Sequence, residues 1–187
     1  MTNRPRSFRA FFFIAIALSG IVAASTDDVR SEVLKTHAGE LILAQHLVVE
    51  APIARVWEAY TTSQGWMSWA APLADVDLRI GGEIRTHYEA GAQIGDSGTN
   101  ILRIVNYVPE KVLTLQAELS SRWPEVMKSD ADNLMNVIVF EEVGSDRTRI
   151  RSFGVGYRVL PEYDELMEFF IPANEVLLRK LKAHLEE

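Results

Sequence analysis

The sequence predicts an α+β protein in which a curved antiparallel sheet wraps around one long C-terminal helix. About 80 residues after Pro72 alternate like strands and are broken by short turns, as antiparallel neighbours are. Residues 161–187 instead carry apolar side chains every three or four positions, which indicates one face of a helix. A sheet and a helix that each have one apolar face bury both by packing together.

The first predicted strand is "ELILAQHLVVEAP". Its alternation places Leu41, Leu43, Gln45, Leu47 and Val49 on one face. Pro52 then suits the first position of a helix, where its missing N–H is not needed. The stretch "PIARVWEAY" has helical spacing, and "SQGWMSW" predicts a second short helix with Ser63 as its cap.

A meander of six strands follows. The predicted strands span residues 75–80, 83–89, 99–107, 112–118, 134–142 and 147–158. Gly81 and Gly82 are predicted to form the two-residue turn of the first hairpin, which favours glycine because it needs φ > 0. That turn would set the register and aim Ile84 and Tyr88 inward. Residues 120–133 form the longest break and are predicted to be a loop.

The C-terminal helix is predicted to bury a stripe that includes Leu166, Phe170, Ala173 and Leu177. Pro161 lies near its start. Pro172 lies inside it and predicts a kink, because proline removes one N–H and clashes with the preceding turn.

Residues 1–24 have the layout of a secretory signal peptide: three arginines, no acid, then a short apolar run and small residues. Cleavage is predicted before Ser25 or before Thr26. The alternative is an uncleaved N-terminal anchor, although the apolar run is short for a membrane span. Residues 25–39 are predicted to be a polar lead-in with a helical turn, and residues 40–187 to be the folded domain. The expected location is the periplasm or the extracellular medium.

Removing the leader leaves 16 basic and 26 acidic residues, a net charge of −10. A body this acidic is a poor partner for nucleic acid or for an anionic membrane surface. The chain has no cysteine, so disulfides and thiol catalysis are excluded.

No motif for nucleotide, metal or catalytic chemistry stands out. The glycines around Gly81 precede a strand, whereas phosphate loops open a helix. The four histidines form no metal-binding pair, so no metal or cofactor is expected. His87 alternates with Thr86 and Tyr88 and is predicted to point away from the interior. No serine lies in a nucleophile elbow.

Four stretches, in order, resemble the START-like (SRPBCC) superfamily, within it the branch named for activators of a heat-shock chaperone ATPase. They are "VEAPIARVWEAYTTSQGWMSWAAP", "DLRIGGEIRTHY", "YVPEKVLTLQ" and "TRIRSFGVG". The resemblance covers residues 40–187 and implies a helix-grip fold. It does not imply one activity, because this fold hosts ligand carriers, cyclase-like and hydrolase-like enzymes and chaperone partners.

The expected function is binding of a hydrophobic or amphipathic small molecule between the sheet and the C-terminal helix. Residues 120–133, with Trp123, are predicted to act as a lid. An enzyme of the same fold and a chaperone-like interaction module are the alternatives. The candidate cavity residues are Trp69, Ile84, Thr86, Tyr88, Thr114, Gln116, Trp123, Asn136, Leu166, Phe170, Ala173 and Leu177.

Overall fold

The computed structural model describes residues 29–121 and 123–187, so the predicted signal peptide lies outside the described residues. Within them the chain forms one eight-stranded antiparallel sheet and four helices. The strands are β1 Arg30–Lys35, β2 Glu40–Val49, β3 Leu73–Val76, β4 Glu83–His87, β5 Asn100–Val108, β6 Val112–Ala117, β7 Met135–Gly144 and β8 Arg147–Arg158. The helices are α1 Ile53–Thr61, α2 Ser63–Trp69, α3 Glu125–Ser129 and α4 Pro161–Leu185.

The sheet has the order β1-β2-β8-β7-β6-β5-β4-β3, so β2 pairs with β8, the last strand of the chain. The segment after β2, which forms α1 and α2, leads to the opposite edge of the sheet. There β3 begins the meander that returns strand by strand to β8. The sheet and the long helix α4 confirm the predicted α+β helix-grip architecture. The alternation predicted for β2 is also confirmed, because Leu41, Leu43, Gln45, Leu47 and Val49 are all buried.

The lead-in is the first departure from prediction. Residues 30–35 form strand β1, which pairs with β2 from Arg30↔His46 to Lys35↔Leu41, and no helical turn lies there. Most of its side chains are exposed. The backbone of this polar segment covers the outer edge of β2, and the apolar pattern that marks a buried strand is therefore missing.

The turn at the two glycines is the second departure. Strand β3 ends at Val76 and β4 begins at Glu83, so a six-residue loop replaces the predicted two-residue hairpin. Gly81 donates to the carbonyl of Ile104 at 2.8 Å, and Ile104 donates to the carbonyl of Gly82 at 2.8 Å. The glycines therefore extend the β4–β5 pairing rather than closing the β3–β4 turn.

Helix α2 begins differently from the prediction as well. Its cap is Thr62, whose side chain accepts a hydrogen bond from the Gly65 N–H at 2.9 Å. The Ser63 hydroxyl instead accepts from the Val76 N–H at 3.0 Å, which ties the start of α2 to the end of β3.

Helix α4 begins at Pro161 as expected and continues through Pro172. Its C-terminal half packs Leu178, Leu181 and Leu185 into the main core, between α1, α2 and the sheet. Its N-terminal half packs Tyr163 into a second, smaller cluster with residues such as Met127. The two clusters leave a gap along the middle of α4.

Candidate functional site

A cavity of about 540 Å³ fills the gap between the sheet and the middle of α4. An adjoining chamber of about 180 Å³ extends toward the second cluster and shares a wall with the larger cavity. We call them the main chamber and the side chamber. The residues common to both are Gln45, Leu102, Leu115, Ala117, Trp123, Asn136, Ser152, Phe170 and Asn174. The volume of the main chamber lies within the range usual for small-molecule sites.

Most of the candidate residues come together in the main chamber. Those that line it are Trp69, Thr86, Tyr88, Trp123, Asn136, Phe170, Ala173 and Leu177. Tyr88 lies at the rim, because 54% of it is exposed. That these side chains bind a ligand stays a prediction.

Four of the proposed residues do not line either chamber. Ile84 is fully buried in the main core, and Leu166 packs against the second cluster. Thr114 lies between Leu113 and Leu115, which belong to the main core, so alternation turns it to the opposite face. Gln116 shares that face and donates to the carbonyls of Ala131 and Asp132.

Several cavity residues are absent from the sequence-based set, among them Tyr60, Gln45 and Asn174. Gln45 stands on the predicted inward face of β2, and a polar residue in that apolar row is a signal of function. Asn174 directly follows Ala173 on the predicted stripe. Tyr60 lies in the last turn of α1, and its spacing marks it as core.

The Tyr60 side chain is one of the most buried polar groups of the main chamber. Only 3% of the residue is exposed, and its ring packs against Trp69 and Phe140 at centroid distances of 5.3 and 5.2 Å. Burial raises the pKa of its hydroxyl, which therefore stays protonated at neutral pH.

The hydroxyl of Tyr60 makes no hydrogen bond to another described residue. Among the described side chains, no buried polar atom is both unpartnered and sealed from solvent. The Tyr60 hydroxyl therefore opens onto the cavity that its side chain lines. The hydroxyl of Thr86, a residue on β4 with 4% exposure, also has no partner among the described residues and opens onto the cavity.

The tryptophans beside Tyr60 are fixed in place by the backbone. The indole N–H of Trp66 donates to the carbonyl of Tyr60 at 2.7 Å, and that of Trp69 donates to the carbonyl of Ala59 at 3.1 Å. Their polar ends are thus occupied, and their rings present apolar surface to the main chamber.

Two side-chain pairs mark the shared wall of the chambers. The Ser152 hydroxyl donates to Asn136 Oδ1 at 2.8 Å, which joins β8 to β7. Asn174 Nδ2 donates to Gln45 Oε1 at 2.9 Å, which joins α4 to β2. Each pair leaves part of its hydrogen-bonding capacity available to a ligand.

His87 points away from the cavity, as its alternation with Thr86 and Tyr88 predicts, but it is buried rather than exposed. Only 2% of it is exposed, because the loop formed by residues 89–99 covers it. Its Nδ1 accepts from the Glu89 N–H at 3.1 Å, and its Nε2 lies 3.3 Å from the Ser97 carbonyl oxygen. The ring lines neither chamber, and the strand pattern around His87 carries no sign of the loop that covers it.

The predicted lid, residues 120–133, is held by a buried polar cluster. Asp130 Oδ2 accepts from the Arg158 Nε–H at 2.7 Å and from the Tyr163 hydroxyl at 2.8 Å. Burial alone raises the pKa of the Asp130 carboxyl, but these two hydrogen bonds outweigh burial and hold that pKa below its usual range. Trp123 reaches the cavity from this segment and packs near Phe170.

Across the described ranges, no cluster of three or more histidine or acidic side chains is arranged to hold a metal ion. None of the helices described is long and apolar enough to cross a membrane.

A profile of the family described as "Activator of Hsp90 ATPase homolog 1-like protein" matches residues 50–186. The chain belongs to this family. The match spans α1 through α4 and agrees with the resemblance drawn from the four sequence stretches. A comparison with curated protein sequences finds no match.

Solved structures support the same fold. The Aha1 dimer from Colwellia psychrerythraea matches with a TM-score of 0.60 and 17% identity, over 78% of this chain and 96% of that one. CalU16 from Micromonospora echinospora matches with a TM-score of 0.55 and 18% identity, over 83% and 81%. A conserved protein of unknown function from Enterococcus faecalis, EF2215, matches with a TM-score of 0.57 and 14% identity, over 84% and 77%. At these identities the similarity shows the fold alone.

Proposed function

We propose that this protein binds a hydrophobic or amphipathic small molecule in the main chamber. The observation that carries the proposal is the pair of buried hydroxyls, Tyr60 and Thr86, which face a largely apolar cavity of about 540 Å³ without a partner. A buried hydroxyl left unpaired costs about 1–3 kcal/mol, and a polar group of a ligand offsets that cost. The surrounding aromatic rings supply the apolar contact.

Binding is favoured over catalysis by where the titratable side chains lie. Glu118 lines the main chamber, but it is half exposed and paired with Arg103 at 3.0 Å. His87 lies beneath the loop of residues 89–99, away from the chamber. An enzyme would need a titratable group inside the cavity with a perturbed environment, and Tyr60, whose pKa burial raises, is the candidate in the main chamber. The protonated hydroxyl of Tyr60 is suited to orienting a ligand rather than to moving a proton.

The test compares two substitutions with matched controls. Tyr60→Phe removes the buried hydroxyl and keeps the ring, whereas Tyr107→Phe makes the same change at a residue that lines neither chamber. Ala173→Leu fills the main chamber from α4, whereas Ala183→Leu makes the same change at an exposed position of that helix. Binding is measured by fluorescence of the apolar dye Nile red and by native mass spectrometry of the purified protein.

We expect dye binding and co-purifying ligand in the wild type and in both controls. Ala173→Leu should abolish both, because added side-chain volume competes directly with the ligand. Tyr60→Phe should weaken retention of the co-purified ligand about fivefold, the scale of one net hydrogen bond. A wild type that carries no ligand and binds no dye, or an Ala173→Leu variant that binds as well as wild type, contradicts the proposal.

We also propose that the N-terminal segment directs export of the chain and is cleaved off before Ser25 or before Thr26. The support is the arrangement of basic, apolar and small residues in this segment. Fractionation of a bacterial host that expresses the full chain, followed by N-terminal sequencing, tests the idea. A start at Ser25 or Thr26 in the periplasm or medium is expected, and a full-length chain in the cytosol contradicts it.

A further inference from the structure

A row of hydrogen-bonded side chains leads from the surface of α4 to the shared wall of the two chambers. The Ser31 hydroxyl donates to Glu175 Oε1 at 2.8 Å, and Gln45 Nε2 donates to the Ser31 oxygen at 2.9 Å. Asn174 Nδ2 then donates to Gln45 Oε1 at 2.9 Å. We call these four residues the amide relay. It joins β1, β2 and α4, and Ser31 and Gln45 are paired across the two strands.

The direction of every bond in the amide relay follows from its first member. A carboxylate can only accept, so Ser31 must give its single hydroxyl proton to Glu175. The Ser31 oxygen can then only accept from Gln45, which turns the amide nitrogen of Gln45 toward Ser31. The carbonyl oxygen of Gln45 is left facing α4, and it can be matched only by the amide nitrogen of Asn174.

The relay therefore fixes how the Asn174 amide is turned. Its nitrogen points to Gln45 and donates one of its two protons there, and its Oδ1 makes no hydrogen bond with a described residue. Asn174 lines both chambers, so this oxygen is the unpaired acceptor that it offers to a ligand. A carbonyl oxygen accepts hydrogen bonds and cannot donate them.

Tyr60, Thr86 and the Asn136–Ser152 pair, which also line the cavity, have no such constraint. The hydroxyls of Tyr60 and Thr86 rotate and serve as donor or acceptor. The Asn136–Ser152 pair ends in a hydroxyl, so its amide can face either way. Asn174, like Gln45, instead has an amide orientation set from outside the cavity, and Gln45 already uses its oxygen to accept from Asn174.

We propose that Asn174 determines ligand specificity by selecting molecules that bear a hydrogen-bond donor, such as a hydroxyl or an N–H, and that Glu175 enforces this choice through Ser31 and Gln45. The inference rests on the proposed function of the main chamber. It deepens that function by naming the chemical class: apolar molecules with a donor group near the middle of α4. Isosteres that only accept hydrogen bonds are disfavoured, because they leave the Asn174 oxygen unpaired.

The test uses two probes that differ by the donor alone, dodecanol and dodecyl methyl ether, each competing with Nile red on the full mature chain. In the wild type, dodecanol should bind about fivefold more tightly, the factor that corresponds to one net hydrogen bond. In Glu175→Gln the relay loses its fixed direction, because a glutamine can donate as well as accept. The preference should then fall below about twofold. Glu168→Gln, an exposed change of the same charge on the same helix, should keep the preference.

Each outcome has a separate meaning. Equal binding of both probes by the wild type overturns the inference and leaves the proposed function standing. Failure of the wild type to bind Nile red or either probe overturns the proposed function and this inference with it. An undiminished preference in Glu175→Gln overturns the role of the relay.

A measurement without ligand tests the relay directly. The side-chain amide protons of Gln45 should exchange slowly with solvent in the wild type, as seen by nuclear magnetic resonance, because one of them is held by Ser31. Ser31→Ala should speed that exchange while the backbone amides of β2 stay protected. Equal Gln45 exchange in the two proteins contradicts the relay even if the variant binds no probe.

Discussion

The hydroxyl of Tyr163 donates a hydrogen bond to Asp130 Oδ2 at 2.8 Å. Tyr163 is fully buried in the first turn of α4, and Asp130 directly follows the last residue of α3. This bond joins the helix that closes the cavity to the segment that carries Trp123. Because Arg158 on β8 binds the same carboxylate oxygen, helix, sheet and covering segment meet at one point.

Tyr163→Phe should therefore lower the free energy of unfolding by about 1.5–3 kcal/mol, the range for a hydrogen bond to a charged group. Chemical denaturation followed by circular dichroism measures the change. Tyr107→Phe serves as the control for loss of a tyrosine hydroxyl. An equal loss of unfolding free energy in both variants would show that the hydrogen bond to Asp130 adds no stability of its own.

Acidification should weaken the same junction. The folded-state pKa of Asp130 lies below the unfolded value of about 3.9, so the ionised carboxylate stabilises the fold fully above that value. The contribution is lost as the pH falls from about 4 through the folded pKa. Asp130→Asn should thus be less stable than wild type at pH 7, and the gap should shrink below about pH 4. A gap that is constant with pH would refute the assignment.

The two adjacent glycines should differ in what they tolerate. Gly81 has φ of +75° with open space around an added Cβ, so Gly81→Ala should cost about 1 kcal/mol in backbone strain. At Gly82 an added Cβ would lie 2.1 Å from the carbonyl oxygen of Asp77, and the loop must move. Gly82→Ala should therefore be the more destabilising change in thermal unfolding. The reverse order would contradict the loop as described.

His87→Leu should loosen the loop of residues 89–99. The substitution leaves the Glu89 N–H and the Ser97 carbonyl without the ring nitrogens that they contact, a loss of about 1–2 kcal/mol. Amide hydrogen exchange in this loop should speed up, and His37→Leu, at an exposed position, should leave it unchanged. Unaltered exchange in His87→Leu would show that the histidine does not hold the loop.

The periodicity of apolar residues predicted the fold well, because burial of one face of a strand or helix makes apolar residues recur at a fixed spacing along the sequence. The predicted 112–118 and 147–158 strands lie within one residue of β6 and β8, and the stripe on α4 reaches the cavity through Phe170, Ala173 and Leu177. Where a side chain faces could therefore be read from its neighbours in sequence.

What a side chain meets across space could not be read in this way. Thr86 and His87 are adjacent, yet one opens onto the cavity and the other is covered by a loop whose sequence is polar and glycine-rich. Strand β1 was missed because its place depends on the free edge of β2 and not on its own apolar residues. The partnership of Gln45 with Asn174 joins residues 129 positions apart, which no local pattern records.

Strand β1 has a practical bearing on how the protein is prepared. Ser31 lies only a few residues after the two predicted cleavage positions, and it is the link between Glu175 and Gln45. A recombinant chain trimmed to residue 40, where the apolar alternation starts, would keep the four helices and the other seven strands in its sequence but lose that serine. Ligand preferences recorded on such a trimmed chain would describe a cavity whose amides are free to turn.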